Sequence, residues 1–294
     1  MDYVRVMEEE LNADYRVKAD IQLEEAYVTG AGDSYAVALT VQEKTGGRFR
    51  AVDPYDAINY RIDKPLIVVS VSGRPKSNVI LAKRLRGKVK VIAVTSNLDS
   101  DLAKVADHVV HLPYKPKALL PGTLSFLMSL SAVYSIANAE EDKGQGDEVP
   151  LTHPFFVGKG ENFGIAYFAY LKMAEVFGER SGYERLEQFC HSPIFSSRGS
   201  TLVLLSSGDK REKELANLID FTSVYSTSCH GAFCNAKAII RSVVSEMKKR
   251  NWNRVYFTED FLQRQGDNKV CGLRNEEKEL EQSVLYRGLK NISH

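Results

Sequence analysis

Two short stretches of small and hydroxylic residues carry the clearest chemical signal in this chain. They are Gly30-Ala-Gly-Asp-Ser34 and Ser70-Val-Ser-Gly73. Each follows an apolar run of strand type, Ala26-Tyr-Val-Thr29 and Leu66-Ile-Val-Val-Ser70, and each precedes a helical pattern. Glycines at such junctions permit tight turns and close approach of a ligand to the backbone. The helix that follows presents free N–H groups and the positive end of its dipole to an anion. Gly32, Asp33, Ser34, Ser70, Ser72 and Gly73 are therefore candidate substrate-binding residues around an anionic group, with Ser77 one turn further on. Serine hydroxyls and turn amides suit a phosphate monoester better than a bulky ring. A plain capped helix start is the alternative reading of either turn. A dinucleotide site would need another glycine near position 35, where Tyr35 stands, and an acidic residue ending the second strand.

These turns need a scaffold that brings them together. Further strands are expected at 48–52, 89–95 and 108–112, with helices at 79–85, 101–106 (Ser100 as N-cap) and 119–139. Continuous apolar strands separated by helices imply a parallel sheet covered on both faces. In such a sheet, ligands sit beyond the carboxyl ends of the strands. The acidic, glycine-containing stretch 139–150 then interrupts the pattern, and a similar cycle begins again. Strands are expected at 155–157, 201–205 and 224–227, and helices at 165–177, 212–219, 236–249 and 276–289. The expected fold is α/β, with two tandem doubly wound parallel-sheet domains at 1–140 and 151–294, joined by a linker at 141–150.

The chain has 294 residues, 44% of them apolar, and a formal charge of +1. That composition supports a large core and argues against disorder. It offers no broad basic field for nucleic acid. No apolar run reaches the roughly 18 residues of a membrane span, and the amino terminus has no apolar leader core, so a cytoplasmic protein is expected. Cys190, Cys229, Cys234 and Cys271 fit no zinc template. Reduced thiols are expected, with a Cys229–Cys234 disulfide as the alternative. His108 and His111 flank a strand and do not make a metal pair, so no metal and no cofactor are expected.

The series of blocks is more telling than any one of them. Strand then Gly-x-Gly-x-Ser, strand then Ser-x-Ser-Gly, then Val91-Ile-Ala-Val-Thr-Ser-Asn97, Ser100-Asp-Leu-Ala103 and Ala106-Asp107 together resemble the SIS (sugar isomerase) family over residues 26–112. The second half resembles a second SIS repeat. The chain as a whole is similar to the isomerase half of glucosamine-6-phosphate synthase and to archaeal phosphosugar isomerases and deaminases. The resemblance implies flavodoxin-like SIS domains, a sugar-phosphate ligand and a homodimer. It implies Glu175 as the base of an aldose–ketose isomerisation through an enediol, and His191 as the ring-opening group, acting in its own or a partner subunit's site. It also implies a carbonyl-facing role for a tail lysine, here Lys290, and a place for Thr123 among the substrate ligands. A carboxylate with a raised pKa and a histidine both suit such proton transfers.

The sequence also departs from that pattern. Pro75 stands where the family carries a threonine, and Ser77, Arg74 or Lys76 could compensate. There is no glutaminase-type cysteine at the amino terminus. An aminosugar-phosphate deaminase and a non-catalytic sugar-phosphate sensor therefore remain beside the isomerase reading.

Overall fold

Runs of β-branched residues with no polar face can only be accommodated where both faces of a sheet are covered. Leu66–Val69 (β3) and Val91–Thr95 (β4) are such runs, and every residue in them is buried. The computed structural model describes residues 1–256. The expected helix at 276–289, Cys271 and Lys290 lie outside the described residues.

After an amino-terminal helix, Tyr3–Leu11 (α1), the first half runs Ala26–Thr29 (β1), Asp33–Lys44 (α2), Phe49–Val52 (β2), β3, Lys76–Leu85 (α3), β4, Asp101–Val105 (α4), His108–His111 (β5) and Leu124–Ile136 (α5). Its five strands form one parallel sheet in the order β2-β1-β3-β4-β5. The second half runs Pro154–Gly158 (β6), Asn162–Lys172 (α6), Gly182–Arg185 (β7), Leu186–Phe189 (α7), Pro193–Ser196 (α8), Thr201–Leu205 (β8), Lys210–Leu218 (α9), Val224–Ser226 (β9) and Ala232–Lys249 (α10). Its sheet, also parallel, has the order β7-β6-β8-β9. This is the order of the first four strands repeated. Among the described residues the second sheet has no counterpart of β5. The α/β architecture with two parallel sheets is thus the one expected from the strand patterns.

The largest buried cluster spans both halves. It joins Val37 and Val41 of α2, Phe126 and Leu130 of α5, Ile165 and Phe168 of α6, and Ile239 and Val243 of α10. Each such side chain contributes about 1.5–3 kcal/mol when fully buried. The rings of Phe126 and Phe168 stack with centroids 3.9 Å apart. Helices α2 and α6 touch directly because Gly164 has no side chain. A Cβ there would lie 2.1 Å from Thr40 Oγ1 and 2.5 Å from the Thr40 nitrogen. Among the described residues, no helix is long and apolar enough to cross a membrane.

Several boundaries differ from expectation, each for a local reason. Helix α3 starts at Lys76 instead of residue 79, with Pro75 at its N-cap. Helix α5 starts at Leu124 instead of residue 119, because Pro121 and Gly122 keep the preceding chain out of helix and leave it as a loop. Strand β7 and the short helices α7 and α8 were not legible as such. The expected reduced thiols are also corrected: Cys229 and Cys234 form a disulfide, with Cα atoms 5.5 Å apart. Gly231 is extended at the N-cap of α10, and Cys234 lies on the first turn of that helix, close to Cys229 just before it. Stretch 140–150 is irregular but held in place. The Asp142 carboxylate accepts from the Phe233 and Cys234 amides at 2.8 Å each, capping α10.

Candidate functional site

Both serine–glycine turns open onto one cleft of about 330 Å³. It lies beyond the carboxyl ends of β1 and β3, where the chain order of the sheet reverses direction, the usual binding position in such folds. Asp33 and Ser34 begin α2 on one side, and Ser70 and Ser72 follow β3 on the other. The loop of Pro116, Ala118, Leu119 and Leu120 closes it with an apolar wall.

The turns are built for their places. Gly32, at the N-cap of α2, has φ +59°, and Gly73 has φ +66°, conformations that side chains disfavour. A Cβ on Gly73 would lie 2.2 Å from Ser100 Oγ. The Ser70 hydroxyl accepts from the Gly73 amide at 3.1 Å, which closes the turn. Ser72 is exposed, and its hydroxyl makes a 3.4 Å contact with the Arg74 amide.

Behind the cleft wall lies a buried ionic network. Lys172, at the end of α6, is 1% exposed. Its ammonium donates to Asp33 Oδ2 at 2.7 Å and to the carboxylate of Glu175. The Gly122 amide also donates to Asp33 Oδ2, at 2.9 Å, and a Cβ on Gly122 would collide with that oxygen. Asp33 Oδ1 is buried and has no partner. Glu175 sits in Met173–Phe177, a π-helical turn that continues α6, a backbone form frequent at functional sites. Burial, with the Asp33 carboxylate adding to it, pushes the Glu175 carboxyl up to about 7 in spite of Lys172. Burial alone would lower the Lys172 pKa, but the two carboxylates outweigh it and hold the ammonium charged.

Of the residues singled out in the sequence, Asp33, Ser34, Ser70 and Ser72 share the cleft. Gly32 and Gly73 shape its turns, and Ser77 lies on the first turn of α3 outside the cleft wall. Thr123 is not a wall residue either. It is fully buried, and its hydroxyl donates to the carboxylate of Glu10 on α1. Glu175 is connected to the cleft through Lys172 and Asp33 and does not itself line it. His191 is not brought to this network. Its side chain is 67% exposed and pairs with Glu187 at 3.3 Å. Sequence reasoning missed Lys172, although a lone lysine on an otherwise apolar helix, three residues before Glu175, was a visible signal.

The second half contains an instructive counterpart. After β8, the turn Ser206-Ser207-Gly208 already holds an anion, the carboxylate of Glu212. The Ser207 amide donates to both of its oxygens, at 3.0 and 2.9 Å. The hydroxyls of Ser206 and Ser207 donate at 3.1 and 2.8 Å. A serine–glycine turn at this position of the fold therefore does gather donors around a carboxylate.

Residues 21–139 match the SIS domain family. No curated protein sequence matches the chain. Solved structures share its fold. Glucosamine-6-phosphate deaminase from Thermotoga maritima is 20% identical with a TM-score of 0.59, over 79% of this chain and 86% of that one. The C-terminal domain of glucosamine-fructose-6-phosphate aminotransferase from Francisella tularensis is 14% identical with a TM-score of 0.58, over 85% and 92%. Tagatose-6-phosphate ketose/aldose isomerase from Escherichia coli is 15% identical with a TM-score of 0.55, over 84% and 86%. At these identities the likeness is one of fold.

Proposed function

We propose that the chain binds a phosphorylated sugar in the first-half cleft and isomerises it between aldose and ketose forms, on a hexose or amino-hexose phosphate. One observation carries the reading: the Asp33–Lys172–Glu175 network links the wall of an anion-type cleft to a carboxyl whose pKa, about 7, suits a general base at neutral pH. The phosphate sits against Ser34, Ser70 and Ser72, and the carbon chain extends toward Asp33. Glu175 takes the proton from one carbon and returns it to its neighbour where the sugar chain reaches past Asp33, and charged Lys172 holds the Asp33 and Glu175 carboxylates in position for that transfer. The chain works as two SIS units, 1–140 and 151–294, in a homodimer whose second copy supplies His191 for ring opening. The role at the sugar carbonyl that the family resemblance implies for Lys290 belongs to the same proposal.

The test is proton NMR in D₂O with fructose 6-phosphate and glucosamine 6-phosphate. Isomerisation gives solvent deuterium at the carbon next to the carbonyl, and Glu175→Gln abolishes it while leaving binding intact. Full exchange in that variant refutes the assignment. Ammonia release from glucosamine 6-phosphate would identify a deaminase. The placement of Glu175 behind the cleft wall favours one further reading, a sugar-phosphate sensor, for which binding occurs with no exchange at all.

A further inference from the structure

The first turn of α3 buries a side chain whose polar atoms have no partner. Asn78 is 1% exposed, and neither its Nδ2 nor its Oδ1 makes a hydrogen bond within the chain. Such amides are rare, because their desolvation is uncompensated. Asn78 lines the cleft together with Ser70, Ser72 and Pro75. Asp33 Oδ1, on another part of the same wall, is equally buried and unpartnered. The cleft therefore carries two sets of unfilled hydrogen-bonding capacity, and their chemistry differs. The amide offers donors and an acceptor, whereas a carboxylate oxygen without a proton only accepts. Inorganic phosphate meets this wall poorly, since at neutral pH it carries only one or two P–OH donors, all on the compact head that the serines hold, and none further along the wall toward Asp33 Oδ1. A hydroxyl-bearing ligand meets it better. Pro75, which has neither a hydroxyl nor an N–H, leaves the start of α3 poorer in donors, and Asn78 brings an amide to the same wall three residues later.

We infer that Asn78 is a ligand-binding residue that makes the cleft select hydroxylated phosphate monoesters over inorganic phosphate. Its Nδ2 donates to the anionic head held by Ser70 and Ser72. Its Oδ1 accepts from a hydroxyl further along the ligand. Asp33 Oδ1 accepts from a second one. This rests on the sugar-phosphate reading of the cleft and adds to it the residue that tells ester from free anion.

The test compares wild type with Asn78→Leu, which keeps the volume and removes the amide. Melting temperature is measured without ligand, and affinity for fructose 6-phosphate and inorganic phosphate is measured by calorimetry. Removing an unsatisfied buried amide raises the ligand-free melting temperature, by about 2–4 °C. Affinity for fructose 6-phosphate falls about tenfold or more, and the preference over inorganic phosphate shrinks. Should the leucine variant fold poorly, Asn78→Asp, nearly isosteric, loses the donor and sets a like charge beside the anion, so it also binds fructose 6-phosphate at least about tenfold more weakly. Binding within twofold of wild type in the folded variant overturns the inference. So does a fall in the ligand-free melting temperature with affinity unchanged, which would mark a structural asparagine. If wild type binds neither probe, the sugar-phosphate reading itself fails and this inference with it.

Discussion

The ammonium of Lys172 on α6 lies 2.7 Å from the carboxylate of Asp33 on α2, and this contact ties the second half of the chain to the wall of the first-half cleft. Both flanking carboxylates depend on that cation. Lys172→Met should therefore cost about 2–4 kcal/mol of stability, because it leaves two partly buried acidic groups facing one another without their cation. Denaturant unfolding of the variant measures this. A loss below about 1 kcal/mol would mean that the network is solvated and weak.

The raised pKa of Glu175 has opposite consequences for stability and for turnover. In an unfolded chain a glutamate titrates near 4.5, and burial in the folded protein raises Glu175 to about 7. Between those values the folded state holds the extra proton, so this group's contribution to stability is full at low pH and is lost as pH rises through about 7. Comparing Glu175→Gln with wild type from pH 5 to 8 should show a pH-dependent difference of about 1–3 kcal/mol in that direction. Turnover needs the ionised base, so kcat/KM of wild type should rise through the same window.

Gly164 sets the spacing of the two halves. A methyl group there meets the backbone of α2 at Thr40 and Ala36, which cannot move aside cheaply. Gly164→Ala should destabilise the protein by about 1–3 kcal/mol, in spite of alanine's better helix propensity. Thermal unfolding checks the sign.

Glu212 plugs the second-half turn, so removing it should expose donors that want an anion. Glu212→Ala should lose about 1–3 kcal/mol and regain part of that in sulfate, with wild type responding less. Equal responses of the two proteins to sulfate would argue against the turn as an anion site.

The contrast between these residues shows what was legible from sequence. Strands β3, β4 and β8 were visible because their residues are apolar without interruption, the mark of strands buried on both faces. Strand β7 was not, since Gly182-Tyr-Glu-Arg185 is a half-exposed edge strand with no apolar run. The cleft turns could be read because serine and glycine next to a strand end have a local meaning. Thr123 had the right residue type but a different partner, Glu10, more than 100 residues away in sequence. The unpartnered state of Asn78 depends on which neighbours are absent in space, which no spacing along the chain encodes, whereas Glu212 stands only five residues after Ser207 and was open to the same local reading as the cleft turns. The Cys229–Cys234 bond depended on where α10 begins, with Cys234 on its first turn 5.5 Å from Cys229 between Cα atoms, which composition alone could not supply.

The central claim is that the Ser34–Ser70–Ser72 cleft holds the phosphate of a sugar phosphate. Calorimetric titration with fructose 6-phosphate and with fructose tests it most directly, on wild type and on Ser34→Ala and Ser72→Ala. Fructose 6-phosphate should bind wild type, unphosphorylated fructose should not, and each alanine variant should bind about tenfold more weakly through loss of a charge-assisted hydrogen bond. Equal binding of the two sugars, or unchanged affinity in both variants, would contradict the claim.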